Sequence, residues 1–409
     1  MIHDAAGAQA PGERERLLRM LAAATFIIFF QAYMVAPIIP ALSSIFHAPE
    51  QTVGLIVPAY LIPYGIATLI YGLLADRLGI HRIMFVSLAA FAALTALTAT
   101  AVSIEQIALW RALTGLGAGG VVPLGLTLVG RLFPYEQRGR PLGWLFGAMA
   151  GGMAFGSPLG AMLVPFIGWQ GLFLAVGAAG AGVLLLFLPY RRLIAAAIAP
   201  VTGTLGDLFR GYVSLIGTPR GQRTYSYVLV NSMFHSGVFT WLGVYFEQRY
   251  GMGPVGVGLA LLGYGVPGFL FGPLIGRMAD RWGRARLLPI GLALSTLAAA
   301  ALLVGFPVIF APVVVMMLSL GYDMTQPLFA GIVTSLGGKR PGQAMGLNVF
   351  TLFIGFGVGS VIFGEVLRFG FGPALGTFAA VELAAALCSL QLFRSERPSP
   401  APEQSAPGR

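Results

Sequence analysis

The sequence predicts an all-α membrane protein, with twelve transmembrane helices in two pseudo-symmetric six-helix bundles. Three observations carry this. Hydrophobic residues make up 57% of the chain and charged residues 10%, with a mean hydropathy of +0.82. A soluble domain carries about 25% charged residues, so this surface must dissolve in lipid. Apolar runs of roughly 20 residues, enough to cross a bilayer, recur along the whole chain. One pattern, Gly-x-x-x-Asp-Arg-x-Gly, is written twice, over residues 72–79 and 276–283. Its aspartates, Asp76 and Asp280, are offset by 280 − 76, or 204 residues, half of the 409-residue chain.

The elements follow in order. Residues 1–16 form an N-terminal tail, whose "GERERLLR" leads into an apolar run longer than a signal-peptide core. The first span is therefore expected to be a retained anchor. The first bundle occupies 17–189, with spans near 17–40, 52–74, 83–102, 104–130, 141–166 and 170–189. A central loop, 190–223, separates it from the second bundle, 224–393. The spans there lie near 224–246, 254–276, 286–305, 308–333, 343–367 and 372–393, and a C-terminal tail covers 394–409. In the central loop "YRRLIAAAIAP" and "LGDLFRGYVSLIG" either form interfacial helices or are plain linker.

Charge sets the orientation. With the N-terminus in the cytoplasm, 22 of the 25 basic residues fall in cytoplasmic loops and tails, Arg249 and Arg368 fall outside, and Arg111 lies within span 4. The positive-inside rule then places both termini, the central loop and both repeats in the cytoplasm. The expected location is the cell membrane, multi-pass, and in a bacterium the inner membrane. The net charge of +10 is on this reading a topology signal and not a nucleic-acid footprint. The single cysteine, Cys388, allows no disulfide framework. The sequence has no H-E-x-x-H, no P-loop and no cysteine pair, so no enzyme, metal or cofactor is expected, and nothing points beyond a monomer.

Two six-helix units repeated in parallel point to a transporter built about an axis along the membrane normal. "GLLADRLGIHR" resembles the cytoplasmic signature between spans 2 and 3 of the major facilitator superfamily, and "GRMADRWGRAR" resembles its echo between spans 8 and 9. The resemblance covers the whole chain. It implies a gating motif of Gly72, Asp76, Arg77, Gly79 and Arg82, repeated as Gly276, Asp280, Arg281, Gly283 and Arg284. It also implies that Asp76 meets the start of span 11, near 342–344, when the cytoplasmic side is closed. By symmetry Asp280 would meet the start of span 5, near 140–143. A carboxylate there accepts from the unpaired N–H groups of a helix start. The first copy departs from the family in having Ile80 where a basic residue is usual.

Two further stretches carry the resemblance. "RALTGLGAGG" places Arg111 inside a span, where it needs pairing or hydration, with Gly115 and Gly119 on its face. It is similar to the fourth-span signature of proton-coupled members; the plain alternative is a structural arginine bonded to helix ends. "GAMAGGMAFGSPLGAML" places Gly152, Gly156 and Gly160 around Pro158. It resembles the fifth-span signature of antiporters, in the Gly-x-Pro-Leu-Gly form of sugar and drug effluxers, although Ser157 and Ala161 depart from the full pattern.

Interior polar residues nominate the site. Asp323 in span 10 is the most interior acid, and Gly119 is its counterpart at the 204 offset. With Arg111 and His235 it is the candidate for proton coupling, the proton being the coupling ion. Partial desolvation suits a carboxylate for that role, and histidine titrates near neutrality. His235 maps at the same offset onto Gln31. Candidate substrate contacts are Gln31, Tyr33, Tyr60, Tyr64, Asn231, His235, Trp241, Tyr264, Tyr322, Gln326 and Asn348, any one of which alone is compatible with packing. Glu382 lies deep in span 12, and Glu365 is close enough to Arg368 to pair with it. The reading is a secondary active transporter most like the twelve-span drug:H+ antiporters, exporting small amphipathic molecules or drugs by alternating access. The alternative is a proton symporter or facilitator for a sugar or other small metabolite. Expected partners are the substrate, protons and membrane lipid.

Overall fold

The computed structural model describes residues 11–133, 137, 139–196, 205–338 and 341–396. Among these the chain is helical, with no strand. Span 1 is Pro11–Tyr33 continued by Ile39–Phe46 through a 3-10 turn at Ala36–Ile38. Span 2 is Glu50–Gly54 followed by Ile56–Leu78. Span 3 is Ile80–Thr98, and span 4 is Ile104–Ala118 with Val122–Leu132. Spans 5 and 6 share one helical run, Gly139–Phe187, interrupted at Gly168. Helices Arg191–Ala196 and Leu205–Ile216 lie in the central segment. Span 7 is Pro219–Thr240 and Leu242–Tyr250, and span 8 is Pro254–Leu261 and Val266–Trp282. Spans 9 to 12 are Arg284–Val304, Ala311–Leu336, Pro341–Val366 and Phe371–Leu392.

The repeated motif is mostly helix and not loop. Spans 2 and 8 run on through it, and the chain turns only at Gly79 (φ +91°) and Gly283 (φ +80°). An L side chain rarely adopts these angles, so the last glycine of each copy ends the helix and starts the next. Of Asp76, Asp280 and Gly276 only the backbone is described; the expected contacts of the two carboxylates lie outside the described residues. Gly72 has open space where a Cβ would stand.

Glycine ridges join helices within each half. On span 5, a Cβ on Gly152, Gly156 or Gly160 would collide with the span 1 carbonyl oxygens of Phe26, Phe30 and Met34. On span 11, Gly355 and Gly359 meet the span 7 carbonyls of Leu229 and Met233 in the same way. Both partners of the first two contacts recur at one displacement, 355 − 152 and 229 − 26, or 203 residues. The duplication therefore extends to backbone packing.

The halves meet at the end opposite the motifs. There Trp241 fills the space left by Gly54 of span 2 and Gly364 of span 11, and its Nε1 donates to Ser360 O at 3.1 Å. Gly243 packs on Pro37, and Gln248 donates to Glu50 at 2.8 Å. At the motif end, span 5 presents Trp144 and Phe146, and span 8 presents Leu270 and Leu274, as exposed side chains. The first turn after span 12, Arg394–Glu396, folds back onto the start of span 7. There Glu396 accepts from Arg220 and Arg223 at 2.6–2.7 Å, and Arg223 also donates to Leu392 O.

Candidate functional site

The break in span 8 organises the site. "LLGYGVPG" interrupts the helix, leaving Gly265 at φ +76° and exposing backbone N–H groups at the start of Val266–Trp282. Gly265 N donates to Ser319 Oγ at 2.9 Å, and Ser319 donates to Asp323 Oδ2 at 2.8 Å. The Gly268 N–H also bonds the Asp323 carboxyl, and a Cβ on Gly268 would lie 2.9 Å from its Cγ. Asp323, half-buried, therefore caps the positive end of a half-helix. Half-helix starts inside the membrane commonly bind charged groups in transporters.

Beside this cap, His235 Nε2 lies 2.7 Å from Tyr264 Oη. Its ring stacks on Tyr322, with centroids 3.9 Å apart and planes at 22°. Phe239 and Phe356 complete the surround at 6.2 and 6.0 Å. Tyr33 reaches across from the first half, 5.4 Å from Phe239 and 5.9 Å from Tyr264. A cavity of about 10 Å³ lies among Tyr33, Val57, Leu61, His235, Phe239 and Thr240, room for one water at most. The ring cluster is thus closely packed in this state.

The other nominated residues lie apart from this cluster or beside it. Arg111 is fully buried, donates from Nε to Ile56 O at 2.5 Å, and sits 5.0 Å over the Tyr60 ring. Gly115 and Gly119 press on the span 2 backbone at Tyr60 and Tyr64. Arg111 and Asp323 thus have separate partners, because the face they share by symmetry is turned toward span 2 in one half and span 8 in the other. Tyr64 stacks against Tyr60 and packs on Phe353. Gln31 is buried with neither side-chain atom hydrogen-bonded among the described residues. Asn231 donates to Thr325 at 2.8 Å. Gln326 Nε2 and Asn348 Oδ1 are buried without a partner among the described residues. Trp241 belongs to the far-end seal. Arg77, Arg82 and Arg281 are exposed, and Arg284 lies against Gly331. Glu365 pairs with Arg368 at 3.1 Å.

Sequence reasoning passed over Ser319, Gly265 and Gly268. A signal existed: a Gly/Pro-interrupted stretch in a hydrophobic span marks a broken helix, and Ser319 stands one turn before Asp323.

The Major Facilitator Superfamily profile matches residues 21–359 and 254–409. The chain belongs to this superfamily. It is a multi-pass membrane transporter and not an enzyme, as are its relatives. This superfamily member is 25% identical over 356 residues to the uncharacterized MFS-type transporter YwfA of Bacillus subtilis, covering 85% of this chain and 84% of that one. It is 25% identical over 408 residues to the tetracenomycin C resistance and export protein of Streptomyces glaucescens, covering 86% and 75%. Its fold matches a bacterial homologue of the lysosomal transporter Spinster, with a TM-score of 0.77 at 17% identity over 96% of this chain and all of the other. It also matches a POT family transporter, with a TM-score of 0.78 at 15% identity over 92% and 96%.

Proposed function

We propose that this chain is a proton-coupled exporter of small amphipathic molecules, working by alternating access with both termini in the cytoplasm. The observation that supports it is Asp323 capping the broken span 8, next to the aromatic cluster around His235. When ionised, Asp323 holds the Gly268 N–H and the Ser319 hydroxyl and favours the positive end of Val266–Trp282. Protonation removes that charge and loosens the cap. The break also touches the first half, since Gly265 packs against Ala154 of span 5. A proton on Asp323 therefore acts on the contact between halves, which is how it shifts the balance between two states. An inward proton releases about 2.3 kcal/mol per 100 mV. The rings of Tyr33, Phe239, Tyr264, Tyr322 and Phe356 suit a flat, partly apolar substrate. The tetracenomycin C resistance and export relative is in keeping with export.

A second reading is uptake by symport. It is favoured by the 4-hydroxybenzoate transporter PcaK of Acinetobacter baylyi, 32% identical over 162 residues, 38% of this chain and 35% of that one. A thermal-shift screen of purified protein against dyes, antibiotics, aromatic acids and sugars would give a ligand. Proteoliposomes with an imposed proton gradient then separate the readings. Movement of that ligand against the proton direction supports export by antiport, movement with it supports symport, and indifference to the gradient contradicts proton coupling.

A further inference from the structure

The second half holds another carboxyl that this mechanism does not use. Glu382, in span 12, is 0% exposed. Neither of its oxygens has a hydrogen-bond partner among the described residues. Two contacts fix the register of span 12 against span 7. Tyr227 Oη donates to Ala385 O at 3.1 Å, and Phe378 fills the space beside Gly237. Glu382 lies between Phe378 and Ala385 on one helical face, so it stands level with Asn231. Asn231 Oδ1 is also buried without a partner among the described residues, while its Nδ2 donates to Thr325 Oγ1 at 2.8 Å. Thr325 is two residues from Asp323 on span 10. Asn231 thus ties the level of Glu382 to the helix that carries the Asp323 cap.

An unpaired carboxylate in a dry helix bundle costs several kcal/mol or more. Among the described residues no cation is paired with Glu382 to offset that. Span 9 offers no ionisable side chain beyond Arg284 and Arg286, both in its first turn at the motif end. Span 11 offers Glu365, which is paired with Arg368 at the far end. Span 7 offers Tyr227, His235 on the far side of Asn231, and, more than two turns toward the motif end, Arg223 on Glu396. Span 12 itself offers Cys388, which is exposed. A neutral acid here has one O–H to donate, and Asn231 Oδ1 is an acceptor at its level with which it makes no hydrogen bond in this state.

We propose that Glu382 is a second proton-binding site, neutral in the state described here, which exchanges its proton when the second half rearranges and reports that movement to span 10 through Asn231 and Thr325. This rests on the reading that the transport cycle is proton-coupled. The test is infrared difference spectroscopy of the full chain in lipid nanodiscs, following the protonated-carboxyl C=O stretch on transfer to deuterated buffer. Wild type should show a component that Glu382→Gln removes and Asp323→Asn keeps, and it should move to the deuterated frequency within minutes. If Glu382→Gln does not fold, Glu382→Met, of similar volume, serves for the same subtraction. A spectrum unchanged by losing Glu382 means the group is ionised and overturns the proposal. A Glu382 component still unshifted after a day means a sealed structural acid and overturns it equally. Loss of gradient-driven flux in Asp323→Asn bears on the first site only, so the two readings fail separately.

Discussion

The two halves of the molecule share a skeleton and differ in chemistry. In the first, Tyr60 lies under the Arg111 guanidinium, span 2 runs unbroken past it, and Gly119 packs flat on the Tyr64 backbone. At an offset of 204 residues the second half has Tyr264 bonded to His235, a break in span 8, and Asp323 in the place of Gly119, facing Gly268 in the place of Tyr64. The glycine ridges that hold spans 1 and 5, and spans 7 and 11, are repeated almost residue for residue. Duplication has preserved what brings backbones together and released what sits between them. One half holds a buried cation against an unbroken helix, and the other holds the histidine, the acid and the broken helix.

The largest effects should come from the shared skeleton. Gly156→Leu and Gly359→Leu each drive a side chain into a carbonyl of the neighbouring helix. Each should cost about 3 kcal/mol or more, seen as loss of the monodisperse peak in size-exclusion chromatography. If only one of the two does so, the packing is not equivalent between halves.

The ends of the halves differ next. In the second half burial alone would raise the Glu396 carboxyl, but hydrogen bonds and charge from Arg220 and Arg223 hold it below its ordinary value. A depressed carboxyl contributes stability above its unfolded pKa and loses it as pH falls through the folded value. Glu396→Gln should therefore lower the stability at neutral pH by roughly 1–3 kcal/mol, and the gap to wild type should close in acid below about pH 4. The first-half pair, Glu15 with Arg140, leaves Arg140 71% exposed. Glu15→Gln should barely move the Tm. Melting curves across pH 3–8 compare the two directly.

Symmetry-related tyrosines sharpen the contrast. Tyr264→Phe removes the oxygen that meets His235 and should cost about 1–2 kcal/mol. Tyr60→Phe removes a hydroxyl with no partner among the described residues, and should be near neutral in the same thermal assay. The smallest expected effect is Gly72→Ala. A Cβ there meets nothing in the state described here, whereas a neighbouring helix closing on Gly72 at the motif end would lose room, so the balance should tilt slightly toward the state described here. Distance measurements between labels on the two halves at that end should show its population rise slightly. A fall would mean that Gly72 is already in close contact.

Much of this frame was legible in the sequence, because a bilayer demands long apolar runs and duplication leaves a fixed offset. The Glu365–Arg368 pair was legible too, as two opposite charges three residues apart. The break in span 8 was not read. The run 254–276 is apolar throughout, and hydropathy does not report where backbone hydrogen bonds stop. Ser319 was missed because a lone serine in a span usually bonds its own helix. The fastening of Glu396 was missed because residues from 394 onward have the polar composition of a tail, and only the fold brings Arg220 and Arg223 beside them. The repeated motif itself was read as a place where helices end, yet its first seven residues remain helical and only Gly79 and Gly283 turn the chain.

The central claim is that the proton acts at the Asp323 cap of the broken span 8. The most direct test is transport by Asp323→Asn in proteoliposomes, using the ligand found by the stability screen. The account predicts that proton-gradient-driven movement is lost, while exchange of ligand across the membrane without a gradient survives. Undiminished gradient-driven transport by the variant would contradict it.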